Sequence, residues 1–189
     1  MPSKKNKLAV SGDAGSFSEE AGRLYAKQNN LAVDFIYAID MEGVLSATDR
    51  GEAALGIFPV VNSRGGLVQT ALSAMGRHFF NLVDELPMEV NQCLMALPDV
   101  KKSAIKQVVS HPQAFSQCAE YLKKNFPRAK LIEWPDTAKA ARDLSAGIIP
   151  ADSAVIAPAR SAELYGLKIL ARGIQDERPN ITTFIIVKK

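Results

Sequence analysis

Apolar positions along the chain alternate between two periods: the every-other-residue or continuous runs of strands, and the three-to-four spacing of helices. Lys7–Ser11 reads as a strand, and Ser16–Asn29 follows with helical spacing through Phe17, Ala21, Leu24 and Tyr25. Val33–Ala38 predicts a strand, Met41–Arg50 a short helix, Ala54–Val60 a strand and Val68–Met75 a helix. Phe80–Leu97 reads as extended, interrupted by Pro87. Gln107–Ser110 predicts a strand and Pro112–Asn125 one helix with proline in its first turn. Lys130–Trp134 is a strand, Thr137–Ser145 a helix, Ala154–Ala157 a strand, and Ser161–Tyr165 lies in a helix opened by Pro158. Ile181–Val187, rich in β-branched residues, closes the chain. Strands alternating with crossover helices predict an α/β architecture with mainly parallel pairing.

Composition narrows the class. The 189 residues suffice for one core of ordinary size. Hydrophobic residues at 47% and charged residues at 23% exclude a long disordered or collagen-like chain. The formal charge is +3, but Lys4, Lys5, Lys7, Lys188 and Lys189 sit at the ends, leaving 18 basic and 20 acidic groups between them. That balance predicts neither a nucleic-acid nor a membrane partner. The start of the chain, MPSKKNKLAVSGD, has no apolar stretch of signal-peptide type, and no apolar run approaches a membrane span. Cys93 and Cys118 form no CxxC pair and no histidine cluster has metal-ligand spacing, so two reduced, buried thiols, no metal and a cytoplasmic location are expected.

Candidate chemistry concentrates at strand-to-helix junctions. Small and polar residues occupy 12–18, 62–66, 110–113 and 136–137. In open α/β sheets ligands bind beyond the carboxyl ends of the strands, where helix N-termini offer free N–H groups to anions. Each junction alone also reads as ordinary N-capping. His111, before a helix-opening proline, suits either capping or ligand contact. His78 is expected at the surface, and Trp134 and the methionines in the core.

Taken in order, six segments resemble the catalytic domain of the prephenate dehydratase family. Gly12-Asp13-Ala14-Gly15-Ser16-Phe17-Ser18-Glu19 is similar to its GxxG[TS][FY]SE opening. Gly56 through Asn62-Ser63 and Gly66 is similar to its GVVPIENSxxG segment. Ser110-His111-Pro112-Gln113-Ala114, with Gln117-Cys118, matches SHPQA…QC, and Thr137-Ala138-Lys139-Ala140-Ala141 resembles STAxAA. Ala157 to Ala162-Glu163-Leu164-Tyr165-Gly166-Leu167 resembles its AxxA…YGL stretch. Ile174-Gln175-Asp176 and Asn180-Ile181-Thr182-Thr183-Phe184 occupy the place of IxDxxxNxTRF.

The resemblance implies a two-lobed fold of the periplasmic-binding-protein type (type II) with an interlobe cleft. Lobe one would be residues 1–86 plus 174–189, and lobe two 87–173, with crossings near Leu86–Gln92 and Asn180–Phe184. It implies conversion of prephenate to phenylpyruvate, water and CO2, without metal or organic cofactor, on the way to phenylalanine. The substrate is a dianion whose hydroxyl must leave, so anion binding and a donor to the leaving oxygen are needed. Thr182 takes the catalytic place. Gly15, Ser16, Asn62, Ser63, Arg64, Gly66, Ser110, His111, Gln113, Thr137, Thr183 and Phe184 are the substrate-binding candidates. A homodimer or larger assembly is implied, and no phenylalanine-sensing ACT or chorismate mutase domain is read in these residues, so no control by phenylalanine within the chain is expected.

Four positions depart from the family pattern. Val61 replaces its acid, Thr183 its arginine, Ala71 (counting without gaps) a threonine, and Gln92 a histidine. A threonine supplies neither the charge nor the fork of a guanidinium, and the loss can cost one to two decades at ~1.4 kcal/mol per decade. Arg64 is a candidate replacement cation. Three functions follow: a dehydratase, a decarboxylase that leaves the ring non-aromatic, and a non-catalytic small-anion binding or regulatory module.

Overall fold

The computed structural model describes residues 6–189, so Lys4, Lys5 and the first five residues of the expected lobe one lie outside it. The chain divides into two units. Unit one comprises the chain up to Asp13, Phe17–Glu89 and Ile181–Lys189; unit two comprises Ala14–Ser16 and Val90–Asn180. The limits drawn from sequence were 86/87 and 173/174.

In unit one the strands are β1 (Asn6–Ser11), β2 (Val33–Ala38), β3 (Leu55–Asn62), β4 (Gly66–Leu67), β5 (Asn81–Glu89) and β11 (Ile181–Lys188). They form one sheet in the order β2-β1-β3-β11-β5, with β4 on β3. Helices α1 (Phe17–Gln28), α2 (Met41–Asp49) and α3 (Gln69–Met75) cover it. Alternation along the strands sorts the core into two faces. Leu8, Val10, Ile57, Leu86, Phe184 and Ile186 pack with Ala21 and Tyr25 of α1. Ala9, Phe58, Ile185 and Val187 pack with Val44 and Leu45 of α2 and Ala71 and Ala74 of α3.

Unit two holds β6 (Cys93–Ala96), β7 (Gln107–Ser110), β8 (Lys130–Glu133), β9 (Ser153–Ala157) and β10 (Lys168–Arg172), in the order β10-β6-β9-β7-β8. Its helices are α4 (Pro112–Gln117), α5 (Ala119–Asn125), α6 (Thr137–Ser145) and α7 (Ala159–Tyr165). β9 is buried at every position because helices cover both faces, which explains its unbroken apolar run.

Several expectations are corrected. The sheets are mixed: β1 is parallel to β2 and β3, and β7 to β8 and β9, while β3–β11, β11–β5, β6–β9 and β6–β10 are antiparallel. The antiparallel strands return from remote parts of the chain, and local pattern carries no signal for that. β5 runs unbroken through Pro87, which is tolerated because β5 is the sheet's edge. The helix expected over 112–125 breaks at Cys118. There the carboxylate of Asp176 accepts hydrogen bonds from Glu120 N (2.9 Å) and Tyr121 N (3.0 Å), capping a second helix from outside. β10 was not foreseen from its short, mixed sequence. Among the described residues, no helix is long and apolar enough to cross a membrane.

His78 is not a free surface residue. Its ring lies between Asp49 (Nδ1, 2.5 Å) and Glu42 (Nε2, 2.6 Å) of α2, and Arg77 bonds Glu42 as well. Hydrogen bonds donated by the ring to Asp49, and then to Glu42, hold the imidazole pKa above its ordinary value. Because the folded pKa is raised, the stabilisation is complete below the unfolded pKa of about 6.5 and is lost as pH rises through the folded value. Raising pH from 6 to 9 is expected to lower Tm about 1–3 °C more in the wild type than in His78→Gln. Parallel pH slopes in thermal melts of the two proteins would refute the ion-pair role.

Candidate active site

In unit one, β1 ends at Ser11 and β3 at Asn62, and β11, running the other way, begins beside them. Asn62 and Thr182 are cross-strand partners, both buried. Asn62 Oδ1 accepts hydrogen bonds from Arg64 N (2.9 Å) and Gly65 N (2.7 Å). Two backbone donors on Oδ1 fix which way the amide faces, so Nδ2 donates to Thr182 Oγ1 at 2.8 Å. With a lone pair of its oxygen occupied by that donor, the Thr182 hydroxyl proton is directed elsewhere. The pair is thus a hydroxyl oriented as a donor.

The neighbours have structural duties. Ser63 Oγ accepts from Ile181 N (3.0 Å) and Ser63 N donates to Ile181 O (2.7 Å), tying the turn to β11. Arg64 is exposed on that turn. Gly66 has φ +71, a conformation side chains rarely adopt. Phe184, read from the sequence as a binding residue, is 1% exposed and packs in the core face against α1.

Thr183 projects from the face of β11 opposite Thr182 and Phe184, and its cross-strand partner on β3 is Val61. Two of the four departures are therefore one pair. An acid and an arginine at these places would have Cβ atoms about 4.5–5.5 Å apart and would bind each other. Here an uncharged pair replaces them together. Thr183→Arg alone is expected to leave stability and turnover nearly unchanged, whereas Val61→Glu with Thr183→Arg is expected to show a favourable coupling of about 0.2–1 kcal/mol. A double-mutant cycle by denaturant unfolding checks this; zero coupling contradicts it. A third departure, Ala71, lies on α3 and is fully buried in the core that α3 shares with α2, and the neighbouring hydroxyl, Thr70, is exposed.

In unit two the turn 14–16 is fastened to α7. Ser161 Oγ donates to Gly15 O (3.0 Å) and Tyr165 Oη to Ala14 O (2.7 Å). A Cβ on Gly15 would come within 2.8 Å of Ser161 Oγ, and φ is +88 there, so only glycine fits. Ser16 is buried just before α1.

The helix starts at the carboxyl edge of unit two are partly occupied by their own caps. Ser110 Oγ donates to Ile156 O (2.7 Å), so its proton is committed to the sheet. His111 caps α4, its Nδ1 accepting from Gln113 N at 3.2 Å. Burial lowers the His111 pKa, against opposing contributions from Asp136 and Glu133. A neutral ring accepting at Nδ1 carries its proton on Nε2, which makes His111 a neutral N–H donor. Gln113 is exposed in the first turn of α4. Thr137 opens α6, but the cap is Asp136, whose carboxylate accepts from Lys139 N (2.7 Å) and already supplies a negative group there. Trp134 packs on the core and donates Nε1–H to Asp143 (2.9 Å).

Sequence reasoning passed over an amide cluster at the same edge. Gln92 Nε2 and Asn180 Nδ2 both donate to Gln117 Oε1, at 3.0 and 3.1 Å. Gln92 N donates to Gln175 Oε1 (3.1 Å), and Gln175 Nε2 to Asn91 Oδ1 (3.0 Å). Gln117, Gln175 and Asn180 each stood inside a recognised motif; that they meet could not be read from spacings of 25 to 84 residues.

Comparison with known proteins decides the family. The prephenate dehydratase family model matches residues 8–189. The chain belongs to the prephenate dehydratase family. It is 36% identical over 184 residues to arogenate dehydratase 5 of Arabidopsis thaliana, covering 97% of this chain and 42% of that protein. It thus spans less than half the length of that relative. Prephenate dehydratase from Arthrobacter aurescens, solved with L-Phe, superposes with a TM-score of 0.86 at 26% identity, covering 97% of this chain and 60% of the other. A periplasmic substrate-binding protein of an ABC transporter from Coxiella burnetii shares the fold at TM-score 0.51 and 17% identity, covering 97% and 84%. The expected α/β fold of the periplasmic-binding-protein type is therefore the observed one.

Proposed function

We propose that this chain carries out the dehydratase reaction of its family, converting prephenate to phenylpyruvate, water and CO2 in phenylalanine biosynthesis. The observation that supports this best is the Asn62–Thr182 pair, in which backbone donors lock an amide that in turn occupies the threonine oxygen as an acceptor and leaves its proton to be donated elsewhere. In the reaction the ring C–O bond breaks and hydroxide departs. The bond from ring carbon to carboxylate breaks, its electrons restore the aromatic ring, and CO2 leaves. A neutral hydroxyl is a poor acid, so Thr182 serves by a hydrogen bond to the departing oxygen while solvent supplies the proton. His111 Nε2–H and the backbone N–H groups following Ser16, Ser110 and Thr137 are proposed to meet the substrate's carboxylates, with Arg64 as an accessory cation. Neither metal nor organic cofactor takes part. Free, buried Cys93 and Cys118 suit a reducing cytoplasm, and a homodimer or larger assembly completes the reading.

A second substrate is favoured by the 36% identity to a plant arogenate dehydratase. Arogenate carries an α-ammonium where prephenate has a keto group; the leaving groups are the same. Supplying each compound at neutral pH and following phenylpyruvate and phenylalanine tests both readings. Formation of either aromatic product supports the dehydratase; binding without turnover would leave the anion-binding module.

A further inference from the structure

Among the described residues, one buried side-chain oxygen or nitrogen has no hydrogen-bond partner: Oε1 of Gln92. The residue is 4% exposed, and its other polar atoms have partners. Its backbone N donates to Gln175, its backbone O accepts from Ile174 N (3.0 Å), and its Nε2 donates to Gln117 Oε1. The backbone is thus held at both N and O, and the side-chain amide is anchored through Nε2. Turning the amide over would set two oxygens, Gln92 Oε1 and Gln117 Oε1, against each other and strand an N–H instead. The observed orientation, with a bare acceptor, is the better one.

A buried carbonyl without a donor is costly, and the protein provides no N–H for it. Its place is informative. Cys93 pairs with Ala157 at the carboxyl end of β9, so Gln92 stands one residue outside the sheet, at the edge where β7 and β9 end and α4 and α6 start. That is the ligand edge of an open α/β sheet. A ligand that satisfies Gln92 must bring a donor. Prephenate offers acceptors (two carboxylates and a keto oxygen) and one hydroxyl, which departs in the reaction and needs a donor rather than an acceptor. A keto oxygen facing Oε1 would place two acceptors together. An α-ammonium offers three N–H donors and a positive charge to the same carbonyl.

We infer that Gln92 is a specificity-determining residue that accepts a hydrogen bond from the α-ammonium of an amino-acid substrate, making arogenate a better substrate than prephenate. The inference rests on the dehydratase reading and names its substrate class.

The test is kcat/KM for arogenate and prephenate in the wild type and in Gln92→Leu, which keeps the bulk and removes the acceptor. The wild type is expected to favour arogenate by about tenfold or more, and Gln92→Leu to move the ratio toward prephenate by on the order of 10–100-fold. A purely structural role would lower both substrates together and leave the ratio in place. Prephenate preferred by the wild type overturns the inference even if the variant does not fold. An unchanged ratio in a folded variant, as for an oxygen satisfied by an internal water only, also overturns it. If neither compound is turned over, the dehydratase reading fails instead. Calorimetry with L-phenylalanine and phenylpyruvate then reads the same discrimination without chemistry. Tenfold tighter binding of the amino acid supports the role of Gln92, and equal or reversed affinity overturns it.

Discussion

Thr182→Val is expected to lower kcat by about two to three orders of magnitude with KM changed less than threefold, the size of effect seen when one pre-aimed donor to a developing oxyanion is removed. Valine keeps the shape and the β-branched character that suit β11, so the loss reports the hydroxyl alone. Thr182→Ser keeps the hydroxyl and is expected to retain activity within about tenfold. The remaining gap comes from serine's freer rotamer, since a β-branched side chain is stiff about its first torsion. Asn62→Ala should reproduce much of the Thr182→Val loss, because Asn62 aims the hydroxyl through its 2.8 Å bond. The two losses should not add, since both remove one device. A Thr182→Val enzyme with wild-type kcat would remove Thr182 from the chemistry.

Phe184→Ala is expected to cost about 3–5 kcal/mol of stability, the usual penalty for emptying a buried aromatic site. Phe184 is among the largest fully buried side chains, packed with Leu86, Ile186 and Tyr25 between β11, β5 and α1. Phe184→Leu should cost much less and leave KM within a few fold, because the ring meets the core and not the ligand. Denaturant unfolding and steady-state kinetics on the same samples separate the cases. A tenfold rise in KM with unchanged stability would return Phe184 to the binding surface.

Thr182 and Phe184 stand two positions apart in one recognised motif, both are buried, and their partners distinguish them. The motif located β11 and its threonine. Alternation along that strand then divides the signature: Thr182 with Asn62, Thr183 with Val61, Phe184 in the core. The junctions were legible because small and capping residues are required by geometry. Gly15 has no room for a Cβ, and Asp136 and His111 cap α6 and α4. The aspartate of Ile174-Gln175-Asp176 proved to cap α5 from a remote segment. Antiparallel returns were not legible, since partners such as β3 and β11 meet over separations that leave no local period. For the same reason the His78 ion pairs and the Gln92 amide cluster emerged only from the folded chain.

On the proposed reading, positive charge plays a smaller part than the family pattern suggests. Thr183 and Val61 face each other, so the missing arginine reads as half of a lost strand-to-strand ion pair. Neutral donors remain at both sheet edges: the Thr182 hydroxyl in unit one and His111 Nε2–H in unit two, kept neutral by burial.

The most direct measurement is the identity of the product formed from prephenate at neutral pH, followed by mass spectrometry and by loss of the ring diene absorbance. Phenylpyruvate, formed with one CO2 per turnover and suppressed in Thr182→Val, is the predicted result. A decarboxylated keto acid that keeps its hydroxyl and remains non-aromatic would contradict it, because the Thr182 proton would then have no leaving oxygen to serve.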